Sequence, residues 1–155
     1  MRSISQKNGE RDMPSTEKKE TKVLLALMAH EIFHREMEID TSAVDWMSVL
    51  AEAGRHKVTA LLYPTIRELD GVPENAFNKA CGMAIAVAQA SEAMLKWQRE
   101  ILDLLEMHQI PCAVLKGTSV AYLYPHPELR TIGDIDVLVD ERKRDEACSI
   151  LKEQG

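Results

Sequence analysis

Two aspartates one residue apart, Asp134 and Asp136, lie in the segment Leu129-Arg-Thr-Ile-Gly-Asp-Ile-Asp-Val-Leu-Val139. On an extended strand, side chains two apart leave the same face. Both carboxylates therefore point one way, and Ile135 points the other way into a core. Adjacent carboxylates repel each other, and a divalent cation resolves that conflict. A site of hard oxygen ligands with few other protein donors suits Mg²⁺ that also binds substrate phosphates. Two such ions about 4 Å apart stabilise the attacking and leaving oxygens of an in-line phosphoryl displacement.

A second group lies upstream, in Leu115-Lys-Gly-Thr-Ser119. Gly117 follows a short apolar run and opens a short helix. Backbone N–H groups at such a turn hold phosphate oxygens, and glycine lets a phosphate come close. Thr118 and Ser119 add hydroxyl donors. Arg130, four residues before the first aspartate, is spaced either to pair with a triphosphate or to neutralise the acids. Lys116 is the second candidate cation. The plain alternatives are a tight turn at Gly117, a solvated Lys116 and a solvated acid pair.

Taken together, these residues resemble the nucleotidyltransferase superfamily related to polymerase β, in which a strand ends in Gly plus a small residue and a later strand carries Asp-x-Asp. The likeness is closest to one branch, the uncharacterised bacterial nucleotidyltransferases. The matching residues are Leu115-Lys116-Gly117, Leu123-Tyr124, Arg130 and Asp134-Ile135-Asp136-Val137-Leu138-Val139. The resemblance implies Mg²⁺-dependent transfer of a nucleoside monophosphate from an NTP to a small-molecule or protein acceptor. Asp134 and Asp136 would be the catalytic metal ligands. Lys116, Gly117, Thr118, Ser119 and Arg130 would bind the nucleotide. It also implies a third carboxylate on a strand after the last helix, and no such strand follows here. The expectation is thus a truncated member, or a non-catalytic nucleotide-binding or regulatory module with an incomplete site.

The elements that must position these residues follow from periodicity and punctuation. The expected class is α+β and mostly helical, with a helical N-terminal region followed by the start of a polymerase-β-like α/β core. Residues 1–20 are polar and read as a disordered tail, 21–108 as the helical region and 109–155 as the partial core. Apolar spacing predicts a first helix over about 16–36 with Leu24, Leu27, Met28 and Ile32 inward. Ser42-Ala-Val-Asp45 has capping-box-like spacing before a helix that buries Trp46, Val49 and Leu50 and stops at Gly54. A third helix is expected over 57–69. After the Asp70-Gly-Val-Pro73 turn, a fourth runs to about His108, its small residues between Ala80 and Ala90 allowing close helix packing. Ile110–Leu115 and Ile135–Val139 read as strands and Thr118–Leu123 as a short helix. Asp140 caps a last helix that turns Ala147, Cys148, Ile150 and Leu151 inward. The methionines, Met107 among them, read as core filler.

Composition narrows the classes. The 155 residues are 45% hydrophobic and 28% charged, but only 5% aromatic, which favours helices over a β-sandwich. A net charge of −6 leaves no overall positive field, so bulk nucleic acid is not the expected partner. No apolar run reaches the roughly 18 residues of a membrane helix. Cys81, Cys112 and Cys148 show no CxxC spacing and read as reduced thiols, so the expected location is cytoplasmic. One further string, His30-Glu-Ile-Phe-His34, matches the HExxH zinc signature. Its nearest third ligand is Glu52, and no strand precedes it, so both histidines read as ordinary helix residues and a zinc hydrolase is the remote alternative.

Overall fold

Helical periodicity in the first hundred residues closes around one long helix. In the computed structural model, which describes residues 15–153 with side chains from Lys19, the helices are α1 (Ser15–Phe33), α2 (Trp46–Arg55), α3 (Tyr63–Glu68) and α4 (Glu74–Met107). Most of the expected N-terminal tail lies outside the described residues. Leu24 and Leu27 of α1 meet Trp46, Val49 and Leu50 of α2, Leu62 and Ile66 around α3, and Ala76 and Ala80 of α4. Each such large side chain contributes about 1.5–3 kcal/mol when fully buried. Ala76, Ala80 and Ala84 recur every four residues and are buried, so α4 approaches its neighbours along that stripe. Gly82, Ala86 and Ala90 face solvent instead, so only half of the small-residue segment serves close packing.

Several boundaries differ from expectation for local reasons. Asp45, not Ser42, caps α2: its carboxylate accepts from the Ser48 N–H at 3.1 Å and the Ser48 hydroxyl at 2.8 Å. Ser42 sits in a 3₁₀ turn, Thr41–Ala43, capped by Asp40. The third helix is split into a 3₁₀ turn, Ala60–Leu62, and α3. Gly54 does not end α2. The left-handed closing residue is Lys57, at φ 57°. The Val58 N–H donates to the Ala53 carbonyl at 2.9 Å and the Lys57 N–H to the Gly54 carbonyl at 3.1 Å, a Schellman pair. α4 closes in the same way through Gln109 at φ 54°, with Ile110 N–H to Leu105 O at 2.9 Å and Gln109 N–H to Glu106 O at 2.8 Å. In both cases the apolar residue that follows, Val58 or Ile110, packs into a core. That burial outweighs a left-handed cost of about 1–2 kcal/mol.

The C-terminal part comprises β1 (Cys112–Val114), α5 (Thr118–Ala121), β2 (Val137–Val139) and α6 (Arg144–Glu153). β1 and β2 pair antiparallel, with Cys112 opposite Val139, Ala113 opposite Leu138 and Val114 opposite Val137. Both strands are shorter than their apolar runs. Cys112, Val137 and Val139 pack on Leu105 and Ile110 at the end of α4 and on Ala147 and Ile150 of α6, whereas Leu138 faces out. Asp140 accepts from the Arg142 N–H at 2.9 Å, capping the turn that leads into α6. Cys148 is exposed and does not join Ala147 inside. Met107, 74% exposed, is not core filler, and Met47 and Met83 are also exposed.

The fold is therefore mostly helical α+β, with α4 shared between two packing regions. Between them, Leu129 packs with Ala60, Leu61 and Ala84, which anchors the segment leading to the acid pair. Among the described residues, no helix is long and apolar enough to cross a membrane.

Candidate active site

The acid pair keeps the alternation expected of a strand. Ile135, Val137 and Val139 are half-buried, while Leu138 and Asp134 face outward and Asp136 is half-covered. Both aspartates precede the hydrogen-bonded part of β2, but pairing continues past its end: the Leu115 N–H donates to the Asp136 carbonyl at 3.0 Å. That bond brings the Lys116-Gly117 turn against the acid segment.

Gly117 is required at the point of contact. Its φ of 68° and ψ of −109° lie in the mirror image of the extended region. A Cβ there would sit 2.8 Å from the Asp134 carbonyl oxygen. The close backbone approach sets the distance between turn and acids. Arg130 fastens the other side: its Nη1 donates to the Gly117 carbonyl at 3.0 Å, and its guanidinium lies 5.7 Å over the Tyr124 ring.

The turn carries Lys116 to the carboxylates. Lys116 Nζ lies 3.1 Å from Asp136 Oδ2 and 3.8 Å from Asp134 Oδ2. Contact with Asp136, then the charges of Asp134 and Asp136, push the Lys116 ammonium pKa up. The Asp136 side chain is 34% exposed, against 71% for Asp134 and 63% for Lys116, so the cluster opens to solvent on the Asp134 side. Asp136 Oδ2 is shielded from water and no hydrogen bond completes it. It has a nearby charge without a directed donor. An incompletely satisfied carboxylate oxygen, next to a second carboxylate on the same face, fits a divalent cation.

The remaining expected site residues divide. Ser119 is exposed, and its hydroxyl donates back to the Leu115 carbonyl at 3.1 Å. Thr118 is buried and its hydroxyl donates to Gln98 Oε1 of α4, so it ties α5 to the long helix. Arg130 makes no ion pair with Asp134 or Asp136. The charge-offsetting role expected of it falls to Lys116, because its guanidinium is directed at the Gly117 carbonyl instead. Gln98 is the supporting residue that the sequence did not single out, whereas Tyr124 stood among the matching residues without a role. Nothing local marks Gln98.

The HExxH string does not form a zinc site. α1 ends at Phe33, and His34 stands beyond it at φ 52°, outside the helix that carries His30. The His30 ring bonds the Arg35 carbonyl through Nδ1 at 2.7 Å. Glu31 is buried, accepting from the Thr65 hydroxyl at 2.7 Å. Glu52 pairs with Arg55 and His56 on its own helix. Among the described residues, no group of three or more His, Cys, Asp or Glu side chains is arranged to hold a metal.

Residues 42–155 match the family described as uncharacterised nucleotidyltransferase. No curated protein and no solved structure matches the chain. The matched range begins in the turn before α2 and includes α4, the Gly117 turn and both aspartates.

Proposed function

The chain belongs to the uncharacterised nucleotidyltransferase family, and on that premise we propose that it transfers a nucleoside monophosphate from an NTP to a small-molecule or protein acceptor in a Mg²⁺-dependent reaction. The observation that carries this reading is the convergence of Asp134 and Asp136 at the Gly117 turn, with an incompletely satisfied oxygen on Asp136. In the reaction, an acceptor oxygen or nitrogen bonds to the α-phosphorus and gives up its proton to solvent, while the bond from that phosphorus to the pyrophosphate oxygen breaks and pyrophosphate leaves. Bound Mg²⁺ would supply charge neutralisation for the phosphates and for the two carboxylates.

The chain's own residues then divide the work. Asp134 and Asp136 hold the metal. The Gly117 turn and the exposed Ser119 hydroxyl face the phosphates, and Lys116 pairs with a phosphate oxygen. Arg130 acts by holding the Gly117 carbonyl, and Thr118 by anchoring α5 to α4. The net charge of −6 speaks against bulk nucleic acid as the acceptor.

Calorimetric titration of Mn²⁺ and ATP, with pyrophosphate release followed across an acceptor panel, tests the proposal. Asp134→Asn and Asp136→Asn should each weaken metal-dependent ATP binding at least tenfold and abolish release. Unchanged binding in both variants overturns the reading. The two-carboxylate set favours the alternative of a binding module if ATP binds with metal but no acceptor yields pyrophosphate.

A further inference from the structure

The acid pair already faces a cation of its own. Lys116 reaches both carboxylates from a turn that Gly117, Arg130 and the Leu115–Asp136 bond hold in place. One ammonium offsets one of two negative charges, whereas a divalent ion offsets both. The two compete for the same oxygen: Asp136 Oδ2 is buried from solvent and Nζ rests 3.1 Å from it, so a metal ligated by that oxygen meets Nζ there. The lysine side chain is 63% exposed and hinged on four carbons, so it is free to leave without disturbing the backbone.

We propose that Lys116 is an internal counter-ion of the metal site: it neutralises the acid pair before metal arrives, is displaced when a divalent ion binds, and then pairs with the nucleotide's phosphates. The proposal rests on the reading of Asp134 and Asp136 as metal ligands. Three consequences follow. Metal alone binds weakly, because it must displace a resident cation. Nucleotide binds better once metal is present, because Lys116 has been released toward the phosphates. The two ligands are thereby coupled through one side chain, in addition to any complex they form in solution.

The test uses the whole chain and titrates Mn²⁺ alone by calorimetry into the wild type, Lys116→Met, Lys116→Arg and Asp136→Asn, with circular dichroism to verify folding. A solvent-exposed ion pair holds its partners only modestly, so removing the competitor in Lys116→Met should raise Mn²⁺ affinity by about 2- to 5-fold. Lys116→Arg, which keeps the charge, should stay close to the wild type. At saturating Mn²⁺, Lys116→Met should bind ATP about tenfold more weakly, the loss of a charge-assisted phosphate contact. If Lys116→Met leaves Mn²⁺ affinity unchanged or lowers it while Asp136→Asn abolishes binding, the counter-ion role is overturned and the metal site stands. If Asp136→Asn binds Mn²⁺ as the wild type does, the metal-site reading itself fails.

Discussion

Gly117→Ala is the sharpest test of how this site is built. At φ 68° and ψ −109° the residue occupies a region that type II′ turns reserve for glycine. Forcing an L-residue there costs about 1–3 kcal/mol. The added Cβ would lie 2.8 Å from the Asp134 carbonyl oxygen, a backbone atom that no rotamer change can move. Overpacking of this kind adds about 1–3 kcal/mol. Reduced freedom of the unfolded chain returns about 0.4–1 kcal/mol. The net loss is about 2–5 kcal/mol, and at about 2–4 °C per kcal/mol for a chain of this size, Tm should fall by about 4–20 °C. Two other glycines serve as controls in the same thermal melts. A Cβ at Gly133 would meet nothing within 4 Å and its φ is not positive, so Gly133→Ala should stay within about 0.5 kcal/mol of the wild type. Gly82, exposed within α4, also meets nothing, so Gly82→Ala should stabilise by about 0.5–1 kcal/mol. Relief of the clash at residue 117 must move Asp134, so Mn²⁺ affinity should fall with stability in Gly117→Ala alone. A melt for Gly117→Ala indistinguishable from that of Gly133→Ala would refute the claim that backbone contact sets the site.

Lys57→Gly and Gln109→Gly should each raise stability by about 0.5–1 kcal/mol in urea unfolding, since each places glycine at a left-handed helix end. The two sites are independent, so a double variant should show the sum. Thr65→Val should cost about 1–3 kcal/mol by the same measurement, because it leaves the buried Glu31 carboxylate without its hydroxyl donor. Hydrogen bonds from the Ser48 hydroxyl and then the Ser48 N–H hold the Asp45 carboxyl below the usual carboxylate range. A folded pKa below the unfolded one means that its contribution is present above the unfolded value, near pH 4, and is lost as pH falls through the folded value. Melts between pH 6 and pH 2 should therefore show Asp45→Asn losing less stability on acidification than the wild type.

Much of the fold was legible because it rests on local periodicity. Leu24 and Leu27, then Trp46, Val49 and Leu50, recur at helical spacing and all turn inward. Asp140 read as a cap and is one. The helix ends were less legible. Gly54 looked like the stop, yet Lys57 and Gln109 close their helices in a conformation that glycine would adopt more cheaply. What decides there is the burial of Val58 and Ile110 one residue later, a tertiary gain that local preference does not contain. The same holds for Cys148 and Met107, whose type suggested burial and whose position on the assembled surface denied it.

For the site, the chemical groups could be read directly from the sequence: two carboxylates with period-two spacing, a glycine turn, and two cations. Period two follows from strand geometry alone, so the shared face of Asp134 and Asp136 needed no fold to predict it. Which cation serves which partner was a different kind of question. Arg130 is the cation nearer the acids in sequence, and only the pairing of Leu115 with Asp136 decides that Lys116 meets the carboxylates while Arg130 holds the Gly117 carbonyl. Thr118 looked free until α4 supplied Gln98, twenty residues away. His30 and His34 matched a zinc signature by spacing yet read as ordinary helix residues, and α1 ends between them. Local geometry repeats along a chain and can be counted from residue types. Ion pairs and hydrogen bonds depend on distances of a few ångströms between segments far apart in sequence, and those distances exist only once the cores have packed.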